Sequence, residues 1–367
     1  IYKENRKSRL QHNLIDSTNV YANTLNASVI KSYSVNAPFR HIDEKAYKVL
    51  DAPGYSRDLF SRSIDVNSQG LLAALINNQV FLNSTVSAKT QKLVSNLTHI
   101  NTLRFTNRDE LLVIGTADGH MAIYDLNKET SVVVRDYHKS TITSIDFTVT
   151  NSVLSVSKDA KARIFDIRTN KQARTFDYLT GSAYTVKANA NNPFVFATSE
   201  ENGKTGIVDV RLDNPLYYEA NHNSPVRALA WNASKRDVLY SADMRSGYLL
   251  ATNAVTHEQV EKICLPSGAC DLLFSKPTNE LLIAQSAGSH CVEVRAAKCL
   301  SKIAELRGHT KSVYDLCQFA GTNVVSGSAD QSLRFWDLDT VTHCVATKKH
   351  ETAKLTRVKT GSSLLLR

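Results

Sequence analysis

Seven closing words recur along this chain of 367 residues at intervals of 41 to 44. They fall at Asn83, Tyr124, Phe165, Val208, Leu250, Val294 and Trp336. A period that steady marks a repeat architecture, in which each unit buries its apolar face only by stacking on its neighbours. The last unit, Glu305 to Leu338, is the clearest. It holds Gly308-His309, an alternating run from Ser312 to Phe319, a second apolar run from Val324 to Ser328, then Asp330 and Trp336-Asp337.

That grammar, Gly-His at the start and Trp-Asp at the end of about 40–45 residues, is that of one WD-repeat propeller blade. Its spacing has a chemical reason. Asp330 lies in a tight turn six residues before Trp336, where its carboxylate can accept a hydrogen bond from a buried His309. Ser326 is the strand hydroxyl best placed to join, and such a network stabilises only when every member is satisfied. His309, Ser326 and Asp330 also spell a hydrolase triad, but the blade spacing already accounts for all three as structural. Seven four-stranded blades closed in a ring leave only short, protected edges. The expected fold is therefore all-β: a seven-bladed WD-repeat β-propeller over residues 46–340, with flexible arms at 1–45 and 341–367.

The other units follow the ruler in part. Asp118 and Asp159 each precede an aromatic closure by six residues. His138 and His222 stand nine residues before Phe147 and Trp231, and His309 stands ten before Phe319, as blade histidines should. His99 is only six before Phe105 and is expected at the surface. The opening runs Ile142–Phe147, Val226–Trp231 and Val313–Phe319 alternate as half-buried strands do.

Composition narrows the function classes. Apolar content of 42% supports a substantial core, and 22% charge is too little for general disorder. No apolar run is long enough to span a bilayer, and no h-region follows the basic start. The chain begins at Ile1, so upstream sequence is expected in the natural protein. The six cysteines, Cys264 to Cys344, form no Cys-x-x-Cys pair and no zinc set with histidine, so reduced thiols and no cofactor are expected. A net charge of +9 is dispersed, so no nucleic-acid partner is expected. Without a Gly-rich phosphate loop, metal set or carboxylate pair outside the blade network, no enzyme is expected.

The segment Lys48-Val49-Leu50-Asp51-Ala52-Pro53 is more specific. With Arg57-Asp58-Leu59-Phe60 and Ile64-Asp65-Val66, it resembles the entry into the propeller of the fizzy and fizzy-related family. These are the substrate-recognising coactivators of the anaphase-promoting complex, a ubiquitin ligase. The first family word matches in all six positions, and Val66 replaces a Trp in the last. The resemblance continues, at lower identity, over residues 46 to 338 and the final residues. From the residues alone, Leu50 and Asp51 could hold an extended peptide bearing Leu and Arg, or simply be a closing strand and its turn. The resemblance implies both at once, with Leu50 and Asp51 binding the destruction box, an Arg-x-x-Leu degron. The family's second acidic residue there is Gln331 in this chain, which implies weaker or altered binding. For the Lys-Glu-Asn degron, the resemblance implies Asp58 and, in place of a family Arg, Ser312. The family's Asn pair in the fourth blade falls near Glu201 and Gly203.

The arms carry three further signals. Lys3-Glu4-Asn5 is itself a Lys-Glu-Asn word. The terminal Leu366-Arg367 resembles the Ile-Arg end by which these coactivators dock on the ligase. The family's N-terminal docking word, Asp-Arg-aromatic-Ile-Pro-x-Arg, is absent from the chain, so it is expected to be lost or to precede Ile1. The expected partners are subunits of the anaphase-promoting complex, degron-bearing substrates such as cyclins or securin-like proteins, and spindle-checkpoint proteins, in nucleus and cytoplasm. Two other readings compete: a scaffold in ribonucleoprotein assembly, and a cullin-type ligase receptor suggested by Asp166-Ile167-Arg168 and Asp209-Val210-Arg211.

Overall fold

The computed structural model describes residues 42–339 apart from 56–60, 86, 88, 94–96, 108, 151, 213–215, 236 and 287, with backbone alone for 216–221. Nearly all of both expected arms, and Asp58, lie outside the described residues. Within them, 28 strands form seven antiparallel sheets of four. Blades 1 to 7 begin with the inner strands Ile64–Val66, Ile100–Phe105, Ile142–Phe147, Ala183–Ala188, Val226–Trp231, Ala269–Ser275 and Val313–Phe319. Blades 1 to 6 are sequence-consecutive. Blade 7 takes its outermost strand, Lys48–Asp51, from the other end of the ring, paired to Ser332–Asp337.

Burial falls from the axis outward. Ile142–Phe147 and Val226–Trp231 are buried at every position, whereas the outer strand Thr130–Val134 is exposed at four positions and half-buried at the fifth. The expected half-buried alternation of the inner strands is thus corrected. Blades stack face to face, so both faces of an inner strand are covered. The core consists of the layers between blades, such as Val113, Ile145, Phe147 and Phe165 between blades 2 and 3.

The register also moves two closures. Asp125, Asp166 and Asp209 end their third strands opposite Leu111, Val153 for the neighbouring Phe165, and Val195, and their carboxylates accept the following backbone N–H groups. In blade 5 that position is Asn253, opposite Val238, whose Oδ1 accepts from Val255 and Thr256. In blade 6 it is Ala296, opposite Glu280. The closures expected near Leu250 and Val294 are therefore Thr252 and Arg295. With neither an aromatic nor an Asp at these places, the sequence carried nothing to fix the phase.

Six inner strands share a β-bulge at their second residue: Asn101, Thr143, Tyr184, Arg227, Cys270 and Tyr314. A bulge re-aims a side chain, and here several reach the next blade. Asn101 Nδ2 donates to Ile142 O, and Thr143 Oγ1 donates to Ala183 O. Four aspartates supplement them. Asp65, Asp146, Asp271 and Asp315 accept the N–H of Phe105, Ala188, Leu316 and Ser63, each on or just before the next inner strand around the ring.

Candidate functional site at the ring-closing seam

The seam begins with Lys48–Asp51, whose register sets Leu50 opposite Leu333 and Asp51 opposite Ser332. Lys48 and Leu50 are half-buried, while Val49 and Asp51 face solvent. Leu50 packs against the cluster of Ala52, Tyr55, Leu333 and Phe335, and the Lys48 ammonium stands 5.1 Å from the centre of the Phe335 ring. Pro53 has no N–H to extend the ladder. Gly54 then turns the chain at φ +84°, where an added Cβ would stand 2.0 Å from Asn77 Oδ1.

Gln331 holds this turn. It sits in the left-handed region (φ 63°) at the tip between the second and third strands of blade 7. Its backbone carbonyl accepts Ala52 N–H at 2.8 Å, and its side-chain Oε1 accepts Gly54 N–H at 3.2 Å. The structure thereby places Leu50, Asp51 and Gln331 at one end of the blade-7 edge, with Leu50 turned to the apolar cluster, Asp51 to solvent and the Gln331 amide on the turn that follows. Ser312 is half-buried beside the same turn, its carbonyl accepting Ala329 N–H. Asp58, Lys3, Glu4, Asn5, Leu366 and Arg367 lie outside the described residues.

From the turn the chain runs to the axis. Tyr55 is buried, and its hydroxyl donates to Asp315 Oδ2 at 2.6 Å. Burial, and then the Asp315 charge, push the phenol well above its ordinary pKa. An added Cβ on Gly327 would lie 2.3 Å from this hydroxyl, so the ring passes where blade 7 has no side chain. Asp315 is also bound by Arg227 Nη2 at 2.6 Å. The same guanidinium donates to Ser61 O, Cys270 O and Tyr314 O. One blade-5 side chain thus ties blades 6 and 7 to the entry of blade 1. Nearby, Arg62 donates to Leu316 O at 3.1 Å and stands 3.5 Å from Asp271. Burial and the Arg62 and Arg104 charges bring Lys187 down to about 8.

The blade network of the last repeat is complete. His309 Nδ1 lies 2.9 Å from Asp330, Nε2 lies 2.8 Å from Ser326 Oγ, and Trp336 Nε1 donates to that same oxygen at 2.8 Å. Burial works to raise the Asp330 pKa, but Ser332, the Thr310 N–H and His309 hold it at about 2. Ser326 is wholly buried, with its oxygen engaged by Trp336, so no substrate reaches it. Shortened copies stand at His138 (Asp159, Ser155) and His222 (Asp243, Ser241). His99 is exposed.

Sequence reasoning did not single out the axial set of Arg62, Arg227, Asp271 and Asp315. A signal existed for the two acids: Asp271 and Asp315 are each the third residue of their opening strands, Ala269–Ser275 and Val313–Phe319. Among the described residues no group of His, Cys, Asp or Glu is placed to hold a metal ion, and no helix is long and apolar enough to cross a membrane.

Comparison with known proteins agrees with this architecture. The WD domain, G-beta repeat model matches residues 130–166 and 300–337. The chain is 28% identical over 308 residues to the APC/C activator protein CDH1 of Saccharomyces cerevisiae, covering 82% of this chain and 53% of that protein. It is 26% identical to the WD repeat-containing protein srw1 of Schizosaccharomyces pombe, over 82% of this chain and 54% of that one. Against Protein FIZZY-RELATED 2 of Arabidopsis thaliana the identity is 27%, over 84% and 65%. The chain thus spans about half the length of the first two relatives. A chain of the crystal structure of the mitotic checkpoint complex superposes with a TM-score of 0.76 at 19% identity, over 83% of this chain and 97% of that one, which shows the shared fold. Over about four-fifths of its length the chain is thus similar to APC/C activator and fizzy-related WD-repeat proteins, as a divergent member of that family would be.

Proposed function

We propose that this protein is a substrate-recognition coactivator of the anaphase-promoting complex. The observation that carries the reading is the seam. The word from Lys48 to Pro53 serves as the ring-closing strand, and it presents half-buried Leu50 beside the exposed Asp51 carboxylate. An extended Arg-x-x-Leu segment fits that pair, with Leu against the apolar side chain and Arg on the carboxylate. The similar proteins, an APC/C activator among them, support the same reading.

The mechanism needs no catalytic residue. The propeller holds a degron while Leu366-Arg367 and the N-terminal arm hold the ligase, which raises the local concentration of substrate. Gln331 replaces a second carboxylate and spends its Oε1 on Gly54, so the site offers the degron Arg one charge. Asp58 and Ser312 belong to the proposed Lys-Glu-Asn site, and Lys3-Glu4-Asn5 to a degron of the chain itself. The proposed partners are the ligase subunits, substrates of the cyclin or securin kind and checkpoint proteins, in nucleus and cytoplasm.

Two measurements test this. Pull-down with the ligase core should succeed for the intact chain and weaken sharply without Leu366-Arg367; no binding at all, or full retention, would sink the reading. Asp51→Ala should weaken an Arg-x-x-Leu peptide about tenfold, and unchanged affinity would remove Asp51 from the site.

A further inference from the structure

The outermost strand of blade 2, Thr130–Val134, reads TSVVV. Its inner side pairs with Met121–Asp125, and its outer side is the end of the sheet. Val132 is 52% exposed and Val133 39%. Natural proteins blunt such edges with charge, because an unpaired row of N–H and C=O groups recruits other strands. Each of the other six outer strands carries a charged residue, as in Lys171–Phe176 and Gln259–Cys264. Blade 2 has none.

The flanks are charged in a particular order. Lys128-Glu129 precede the strand and Arg135-Asp136 follow it. If two such edges meet antiparallel about a two-fold at Val132, Thr130 faces Val134 and Ser131 faces Val133. Glu129 then faces Arg135, and Lys128 faces Asp136. Every flanking charge meets its opposite, twice over. Shifting the register by two residues would break these matches, so the pattern selects one pairing. The present contacts of these side chains are weak and can be exchanged. Lys128 reaches Asp125 at 3.2 Å, and the 93%-exposed Asp136 side chain lies 3.9 Å from His120.

We propose that the outer edge of blade 2 is a self-association surface, through which two copies of the chain pair antiparallel along Thr130–Val134 with Glu129 and Arg135 setting the register. The interface is isologous and closes on itself, so it yields dimers rather than fibres. One short strand per copy buries far less than the ~1,200–2,000 Å² of a standard interface, so the dimer is weak and concentration-dependent. The seam between blades 7 and 1 takes no part in this pairing.

Sedimentation equilibrium of the full chain at low salt tests it. The expected result is a monomer–dimer equilibrium whose dissociation constant rises about tenfold or more in Val132→Lys, where like charges would meet on the two-fold. Val132 is exposed, so this variant should keep the wild-type far-ultraviolet spectrum and melting curve. Glu129→Lys and Arg135→Glu should each weaken the dimer, and the double variant should restore it to within about threefold of wild type. A chain that stays monomeric at all concentrations, or association that Val132→Lys leaves unchanged, would overturn the proposal. Two weakened single variants without recovery in the double would overturn the register.

Discussion

The phenol of Tyr55 donates a 2.6 Å hydrogen bond to the carboxylate of Asp315, 260 positions further along the chain. This bond joins the turn that follows Asp51 to the innermost strand of the last blade. Tyr55→Phe removes the donor and leaves a buried carboxylate oxygen with only Ser63 N–H. The expected loss is about 1–3 kcal/mol, read from the urea midpoint at unchanged slope.

Arg227 is the more sensitive partner. It is buried and binds Asp315 together with carbonyls of blades 6 and 7 and of the entry to blade 1. Arg227→Met should cost about 3–5 kcal/mol, because it strands a buried charge. Arg227→Lys should rescue little, since an ammonium cannot reproduce the fork. Denaturant unfolding of both variants checks this, and full rescue by Lys would contradict it.

Ser326 bonds to two partners, meeting His309 Nε2 and accepting from Trp336 Nε1, whereas Ser155 bonds to His138. Ser326→Ala should therefore cost about 2–3 kcal/mol and Ser155→Ala about 1–2. Equal losses would show that the Trp336 N–H finds another acceptor.

Acid should destabilise the ring in two stages. Burial lowers the His138 and His309 pKa values, against the pull of Asp159 and Asp330. As pH falls through ~6.5 the unfolded chain takes up these protons first, so stability drops. Asp159 and Asp330 are held at about 2. The stability they contribute is present above ~3.9 and is lost as pH falls toward 2. Unfolding midpoints between pH 8 and 3 measure this. A double His138→Gln, His309→Gln variant should flatten the first stage.

Gln331→Glu should keep the acceptor for Gly54 N–H and add a charge beside Asp51. Affinity for an Arg-x-x-Leu peptide should rise about three- to tenfold at low salt. A fall would place the degron Arg elsewhere.

The ring was legible because His309, Asp330 and Trp336 form one complete network that sets the period. Blades 5 and 6 were legible only to within two residues. Their closures, Thr252-Asn253 and Arg295-Ala296, make the same turns with side chains that no pattern search would weigh. Leu50 and Asp51 stood out through a resemblance in words, not through periodicity. The axial clasp was hidden for a physical reason: Arg227 lies in an apolar-looking run, VRALAW, and only the bulge at that residue turns it toward its partners.

The pairing of Lys48–Asp51 with Ser332–Asp337 also sets an order of events in synthesis. The strand that closes the ring is the first of the described strands to be made, and its partner is the last of them. Until the final blade leaves the ribosome, Leu50 and its unpaired backbone wait beside the growing chain. Closure across that separation is the slowest kind of contact to form, and the nascent seam is where misassembly or chaperone capture should concentrate.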